Sequence, residues 1–547
     1  MKQSPKLPSA PDCDVIVVGA GFAGIYALWQ ARQRGLSVQG FERGADVGGT
    51  WYWNAYPGAR CDVESYNYAY FFNDDIVRQW NWSDACAGQA EIQRYLRFVA
   101  ERCDVVPDIT FNTSVTAARY LDDSGFWQVE LSSGDTRICR YLVLAIGALS
   151  DPKAPDIEGV EDFAGEAYFT STWPKDGRVN LTGKRVGVIG TGSSGVQVIP
   201  EIAKVAAEVH VFQRTANYVT PTRSGPMDPA LVAALREEPQ AVRRAFRETY
   251  GGHTPLGMGT ERYLDLDEAG RERALRKAWD ENYIGLAFRD AYLPEANAAI
   301  SEFIRQRMHE QVKDRWTADH LVPWDHPFGG KRPCQSDVYL QTFNLPHVHL
   351  IALPETPIAR IVPNGIQTSA ALIPLDVIVY ATGFDAISGP VLAIDPKGMA
   401  GRSMRESWAD GPLNYLGTMV NGFPNLFLPS SAMSPSVLSN MATLAEQQID
   451  FIFDTIEWLD KHGRPRLHPL PESQIFWREE TLRHAKRRPG ALTTKSWYSG
   501  ANVPGKPRMF MVYCGGFKRY NETCYDELAR GFPGYELLAA PAVVASR

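Results

Sequence analysis

Two stretches of the chain share one rhythm of apolar and polar positions. Each has a short β-branched run, a glycine-rich turn, a helical stretch and a second apolar run. The first is CDVIVVGAGFAGIYALWQARQRGLSVQGFERG, from Cys13. It predicts a buried parallel strand from Asp14 to Val18, a helix, and a second strand from Ser37 to Phe41 that ends at Glu42. The second, KRVGVIGTGSSGVQVIPEIAKVAAEVHVFQRTAN, predicts a strand from Arg185 to Ile189 followed by the same order of elements. Between them, Phe111 to Arg140 alternates around the turn signals Asp-Asp-Ser-Gly and Ser-Ser-Gly-Asp and reads as a β-meander. It leads into YLVLAIG, Tyr141 to Gly147, and a near-copy, VIVYATG, closes at Gly383 before Phe384 and Asp385. From about Asp228 to Val322 the chain turns helical and charge-rich, as in ALREEPQAVRRAFRETY, which reads as a solvated helical insert.

The glycines carry the chemistry. Gly19, Gly21 and Gly24 form GxGxxG between strand and helix, and Gly190, Gly192 and Gly195 repeat it with Thr191, Ser193 and Ser194 between them. The first glycine permits the tight turn, the second lets backbone approach a pyrophosphate, and the third lets helix pack close to strand. The helix N-terminus then offers free N–H groups to the phosphates. Glu42 closes the first unit, where a carboxylate accepts hydrogen bonds from ribose hydroxyls. Counted from the first glycine, the matching residue of the second unit is Gln213, followed by Arg214 and Thr215. A carboxylate there would repel a 2′-phosphate, whereas Arg grips one through its planar fork. The first unit therefore suits FAD and the second NADPH.

The fold expected is α/β, with two Rossmann-like dinucleotide-binding domains, the second inserted in the first and carrying a helical insertion. Residues 1–147 would be the first part of the FAD domain. Residues 148–382 would be the NADPH domain, with its insertion at about 228–322. Residues 383–547 would complete the FAD domain and add a C-terminal segment. The loop Gly251 to Gly259 is a candidate mobile element near substrate, and Ser430 to Asn440, with Met433 and Ser434, a candidate pocket wall.

Composition narrows the classes. With 547 residues, 44% of them hydrophobic, the chain has material for two or three cored domains. A net charge of -7 and the lack of a long basic run give no reason to expect nucleic acid. The start, MKQSPKLPSAPDCD, is polar and Pro-rich, unlike a signal peptide. The uncharged run Val15 to Trp29 is too short to span a bilayer and contains three glycines, so no membrane is expected. The eight cysteines show no CxxC and no cluster with His, which suggests reduced thiols of a cytoplasmic protein and no metal. Oligomeric state is open.

Four further runs point to a family. They are GADVGGTWYWNAYPGARCDVES (Gly44 to Ser65), FAGEAYFTSTWP (Phe163 to Pro174), HPFGGKR (His326 to Arg332) and WYSGANVPGKPR (Trp497 to Arg508). In these runs and their order the chain closely resembles type I Baeyer–Villiger monooxygenases, almost end to end. Two positions depart from the family pattern. Phe169 stands where the fingerprint FxGxxxHxxxW has histidine, and Ala55 where the family usually has Arg. Phe preserves packing but neither titrates nor hydrogen-bonds.

The resemblance implies a reaction and roles. NADPH reduces the flavin, O2 adds to it, and a peroxyflavin anion attacks a ketone, leading to an ester or lactone. Arg332 would stabilise the anion, Asp62 would pair with Arg332, and Trp497 would sit in a mobile loop closing over NADP+ and substrate. Lys331 would join Arg214 on the 2′-phosphate. Gly49, Thr50, Trp51 and Tyr68 would help to form the flavin site. The bland alternatives are an interdomain salt bridge for Asp62 and Arg332 and a core position for Trp497. Two other functions compete: a related flavin monooxygenase oxidising nitrogen or sulfur, and a flavoprotein that binds or oxidises NADPH without oxygenating.

Overall fold

The computed structural model describes residues 10–253, 261–463 and 466–539. The first sheet contains β1 (Cys13–Val18), β2 (Val38–Phe41), β3 (Ile109–Thr110), β4 (Val115–Leu121), β5 (Phe126–Leu131) and β6 (Thr136–Leu144). Their order is β3-β2-β1-β6-β5-β4. The apolar run of β1 is explained by burial on both faces. Val15 and Val17 join a core under α1 (Phe22–Gln33), while Ile16 and Val18 join another with Trp127, Leu142 and Phe423. The last strand of the meander and the strand expected after it are one element. β6 begins antiparallel to β5 and ends parallel to β1, with Cys139 opposite both Trp127 and Cys13. Far along the chain, Leu426–Phe427 pairs with β6 and extends this sheet.

The second sheet is wholly parallel, in the order Val348–Ala352, β9 (Glu208–Gln213), β8 (Arg185–Ile189), Val377–Tyr380 and β7 (Glu166–Phe169). The two segments that join the sheets run side by side. Lys153 N donates to Gly383 O at 3.0 Å, Asp385 N to Asp151 O at 2.9 Å and Ile387 N to Ala148 O at 2.7 Å.

The helical region differs from a solvated insert. Leu235 and Phe246 are buried in the core of the first unit, and Leu275, Ile300, Ile304 and Met308 in that of the second. Its charges misled because several are paired indoors. Arg243 and Arg247 reach Asp450 on the long helix Met441–Lys461 at 2.7 and 2.5 Å, and Tyr26 Oη donates to the same carboxylate at 2.6 Å. Of the loop Gly251 to Gly259, residues 254–259 lie outside the described residues. Its start is tied to the other candidate loop by Asn440 N donating to Gly251 O at 2.8 Å. Among the described residues no helix is long and apolar enough to cross a membrane, and no group of three or more His, Cys, Asp or Glu side chains converges as a metal site.

Candidate functional site

In each glycine turn two glycines are required by the chain itself and one is not. A Cβ on Gly19, whose φ is +98°, would lie 2.6 Å from Ala145 O, and one on Gly24 would lie 1.9 Å from Gly19 O. Likewise Gly190 would meet Ala381 O at 2.4 Å and Gly195 would meet Gly190 O at 2.2 Å. The middle glycines face room. A Cβ on Gly21 would come no closer than 3.4 Å, to Gly49 Cα, and one on Gly192 would meet nothing within 4 Å. The protein leaves these two positions bare for something other than its own packing, which fits a pyrophosphate at each helix start. Gly195→Ala is therefore expected to lower thermal stability by about 1–3 kcal/mol through overpacking. Gly192→Ala should leave the melting midpoint near the parent's and weaken dinucleotide binding. Calorimetry of both variants, with and without NADP+, checks this; equal melting losses would refute it.

Glu42 is buried, and its oxygens accept from Ala20 N at 2.8 Å and Gly44 N at 2.7 Å. Each oxygen keeps lone-pair capacity for a hydroxyl donor. In the second unit Gln213 turns away from the cradle, and its Nε2 donates to His320 O at 2.6 Å. Arg214 stays exposed at the strand end, and Thr215 O accepts from Thr191 Oγ1 at 3.2 Å. Lys331 and Lys153 share Arg214's electrostatic neighbourhood. Burial pushes the pKa of each below the usual lysine value, and the Arg214 charge pushes it further the same way. Lys331 is partly balanced by Asp325 at 3.6 Å. Three cations around one spot favour an anion there.

A cavity of about 490 Å³ opens beside the first cradle. Gly19, Gly21, Glu42, Gly49, Thr50 and Trp51 line its nucleotide end, and Asp62, Tyr68, Ser193, Arg332 and Trp497 also face it. Both units thus contribute to one space. Trp51 Nε1 donates to Tyr68 Oη at 3.2 Å. Asp62 and Arg332 sense each other's charge without forming a direct ion pair, which corrects the expected contact. Arg332 Nη1 donates instead to Val437 O at 3.2 Å. Burial opposes the Arg332 charge, but neighbours led by Tyr498 and Asp62 hold its pKa above the usual arginine value. Burial raises the Asp62 pKa, and the charges of Arg332 and Arg60 with a hydrogen bond to Gln197 offset that in part.

Comparison with known proteins gives this arrangement a family. Residues 13–240 match the model of pyridine nucleotide-disulphide oxidoreductases. The chain is 36% identical to a 2-oxo-Δ3-4,5,5-trimethylcyclopentenylacetyl-CoA monooxygenase of Pseudomonas putida, covering 96% of this chain and 99% of that protein. It is 36% identical to a Baeyer–Villiger monooxygenase of Pseudooceanicola batsensis, over 94% of each chain. A phenazine N-monooxygenase of Lysobacter antibioticus is 34% identical, over 97% of this chain and 98% of its own. Among solved structures, an oxidised steroid monooxygenase bound to NADP is 40% identical with a TM-score of 0.90, covering 96% of this chain and 99% of that one. The chain belongs to the Baeyer–Villiger monooxygenases.

One reading of this Baeyer–Villiger monooxygenase's pocket needs correcting. The loop 430–440 lines the cavity through Ser430, Val437 and Ser439, not through Met433 and Ser434. Both of the latter are fully buried. Met433 N donates to Met511 O at 2.6 Å, Met433 O accepts from Trp477 Nε1 at 2.9 Å, and Ser434 O accepts from Tyr513 N at 2.9 Å. Positive φ at Ser430, Met433 and Ser436 winds the loop so that alternation does not tell which side chains face in. Phe169 stacks on Tyr380 with centroids 4.8 Å apart, a packing role in place of the family's histidine. Trp497 faces the cavity at the start of a strap fastened elsewhere. Asn502 Nδ2 donates to Phe384 O at 2.8 Å, and Lys506 donates to Ala386 O at 3.1 Å and pairs with Asp385. Sequence reasoning missed Lys153, which reaches Asn502 O at 2.7 Å; it stands alone among unremarkable neighbours, and no motif marks it.

Proposed function

We propose that this protein holds FAD in the first cradle and NADPH in the second, and inserts one oxygen atom from O2 beside a ketone carbonyl to give an ester or lactone. The observation that carries this reading is the meeting of Arg332, Asp62 and Trp497 with the first cradle around one cavity. FAD, when bound, supplies the redox chemistry by which electrons from NADPH activate O2. The chain's own residues do the rest. The bare middle glycines and the two helix N-termini seat the pyrophosphates. Gly49, Thr50, Trp51 and Tyr68 wall the flavin end. Glu42 accepts from ribose hydroxyls, and Arg214, Lys331 and Lys153 take the 2′-phosphate. Arg332 holds a fixed positive charge where oxygen transfer builds negative charge, and it stays protonated there. Asp62 sustains that charge from a distance. Trp497 and its strap exclude water from the cavity. The ketone sits against the face made by Ser430, Val437 and Ser439.

The domain division 1–147, 148–382 and 383–547 is supported by the paired connections at Lys153–Gly383 and Asp151–Asp385. Eight unpaired, buried thiols support residence in the reducing cytoplasm. Small-molecule ketone and O2 are the partners of this reading.

The test is NADPH consumption with and without ketones, with mass spectrometry of products across cyclic, linear, aryl and steroidal ketones. Ketone-independent consumption with no ester from any class would refute the reading. The phenazine relative motivates a second reading, oxygen transfer to nitrogen. A nitrogen heteroaromatic in the same assay separates the two. The purified protein is expected to be yellow, and pigment released by heat should chromatograph as FAD. Recovery of FMN would contradict the Glu42 unit as a dinucleotide seat.

A further inference from the structure

The helix that starts at the second cradle, Ser193–Ala203, docks on the first unit at the turn Tyr56 to Arg60. The contact is close. A Cβ on Gly58, whose φ is +80°, would lie 2.5 Å from Gln197 O and 2.9 Å from Glu201 Cγ. The Gln197 side chain sits in this contact with its bonding almost fully used. Its Oε1 accepts from Tyr56 Oη at 2.7 Å, and its Nε2 donates to Arg60 O at 3.1 Å. The Gln197 amide also acts on Asp62, whose carboxyl it holds down against the rise that burial imposes. The Arg60 carbonyl and an ionised Asp62 can only accept, so the amide nitrogen must face them and the amide oxygen must face Tyr56. Ser194, a member of the glycine turn, in turn holds the Tyr56 phenol down against the rise that burial imposes. A matching amide holds the backbone that carries the other charge: Asn217 Nδ2 donates to the Arg332 carbonyl at 2.9 Å, and Asn217 lies just beyond Arg214 and Thr215.

Among the described residues no cation forms a direct ion pair with Asp62, so its charge is set by Arg332 and Arg60 without contact and by the Gln197 amide. We propose that Gln197 is a positioning residue, which ties the docked helix of the second cradle to the turn that leads into Asp62, so that the Asp62–Arg332 site is complete only while that helix is seated. The proposal rests on the function assigned above. It gives the NADPH-binding unit a direct mechanical hold on the oxygen-transfer site, separate from delivering electrons.

The groups facing Asp62 are Arg332, Arg60, Tyr56, Cys61, Cys86 and Cys334. Burial raises the Asp62 pKa, and the Gln197 donor works against that rise. Removing the donor must raise it further, so the carboxylate is neutralised at higher pH as pH falls. The acid side of the pH profile for coupled oxygenation should move upward.

The experiment uses the full-length holoenzyme with Gln197→Met, Gln197→Glu and Tyr56→Phe. Gln197→Met should retain FAD and its reduction by NADPH, while the ratio of ester to hydrogen peroxide falls about tenfold or more, the weight of one hydrogen bond to a charged group. Gln197→Glu should be worse, since it sets a second carboxylate against Asp62. Tyr56→Phe should be milder, since it only frees the amide to turn. A readout without turnover accompanies these: a thermal-unfolding cycle of Gln197→Met with Asp62→Asn. The two changes should be non-additive, with Gln197→Met costing little once Asp62 is neutral. Additive effects, an unmoved acid limb with parental coupling, or loss of FAD in all three variants would each overturn the proposal. Failure of the parent to oxygenate any ketone would instead sink the functional reading, and the unfolding cycle would still decide the role of Gln197.

Discussion

Arg332→Ala should bind FAD and accept electrons from NADPH, yet yield little or no ester. Hydride transfer does not need a positive charge at the oxygen-transfer site, so reduction survives and O2 is returned as hydrogen peroxide. Removing one preorganised charge of this kind costs about 3–4 kcal/mol, a factor of hundreds in rate. Arg332 lies in the shared cavity with its guanidinium fixed on the Val437 carbonyl, so substitution removes a charge already aimed. Arg332→Lys should fall between, keeping charge but losing the planar fork. Asp62→Ala should be milder than Arg332→Ala, because Asp62 acts without direct contact. Stopped-flow spectra separate reduction from reoxidation. Parental ester yield from Arg332→Ala would remove this residue from the chemistry, and loss of FAD would make it a structural strut.

The second large effect concerns cofactor choice. Arg214→Ala should weaken NADPH about tenfold to hundredfold, the worth of one charged hydrogen bond at about 1.5–3 kcal/mol, and leave NADH nearly unchanged. Arg214 is exposed and packs little, so its loss should not unsettle the fold. Lys331→Ala and Lys153→Ala should each cost less, because the Arg214 charge already weakens their hold on a proton. Titration of NADPH and NADH against each variant decides; equal losses for the two cofactors would show that Arg214 serves structure alone.

The nucleotide cradles were readable from sequence because backbone sterics dictate them. Gly19, Gly24, Gly190 and Gly195 cannot carry a side chain in this geometry, so their spacing survives as a pattern. The doubly buried β1 was readable for a similar reason, as a run without polar alternation. Other features depend on what lies across the fold. The helical region looked solvated because Arg243 and Arg247 are written as charges, and their buried acceptors are some two hundred residues away. Met433 and Ser434 were misplaced because a loop with three left-handed residues carries no periodicity. Gln197 gave no signal at all: a glutamine on an apolar helix reads as an incidental polar residue until Tyr56, Arg60 and Asp62 are brought against it.

The interleaving of the two units sets the order in which the chain can finish folding as it is made. The core beneath α1 draws on residues from Val15 to Tyr535, including the long helix Met441–Lys461 and the segment around Met511 and Tyr520. The second parallel sheet, by contrast, has every strand in hand once Tyr380 leaves the ribosome. The unit that emerges first is therefore completed last, and through most of synthesis Tyr26 on α1 lacks its late partner Asp450. A nascent chain in that condition exposes an aggregation-prone surface that a chaperone would recognise. Premature termination before Met441 would leave a finished NADPH-binding unit joined to a first unit that cannot close.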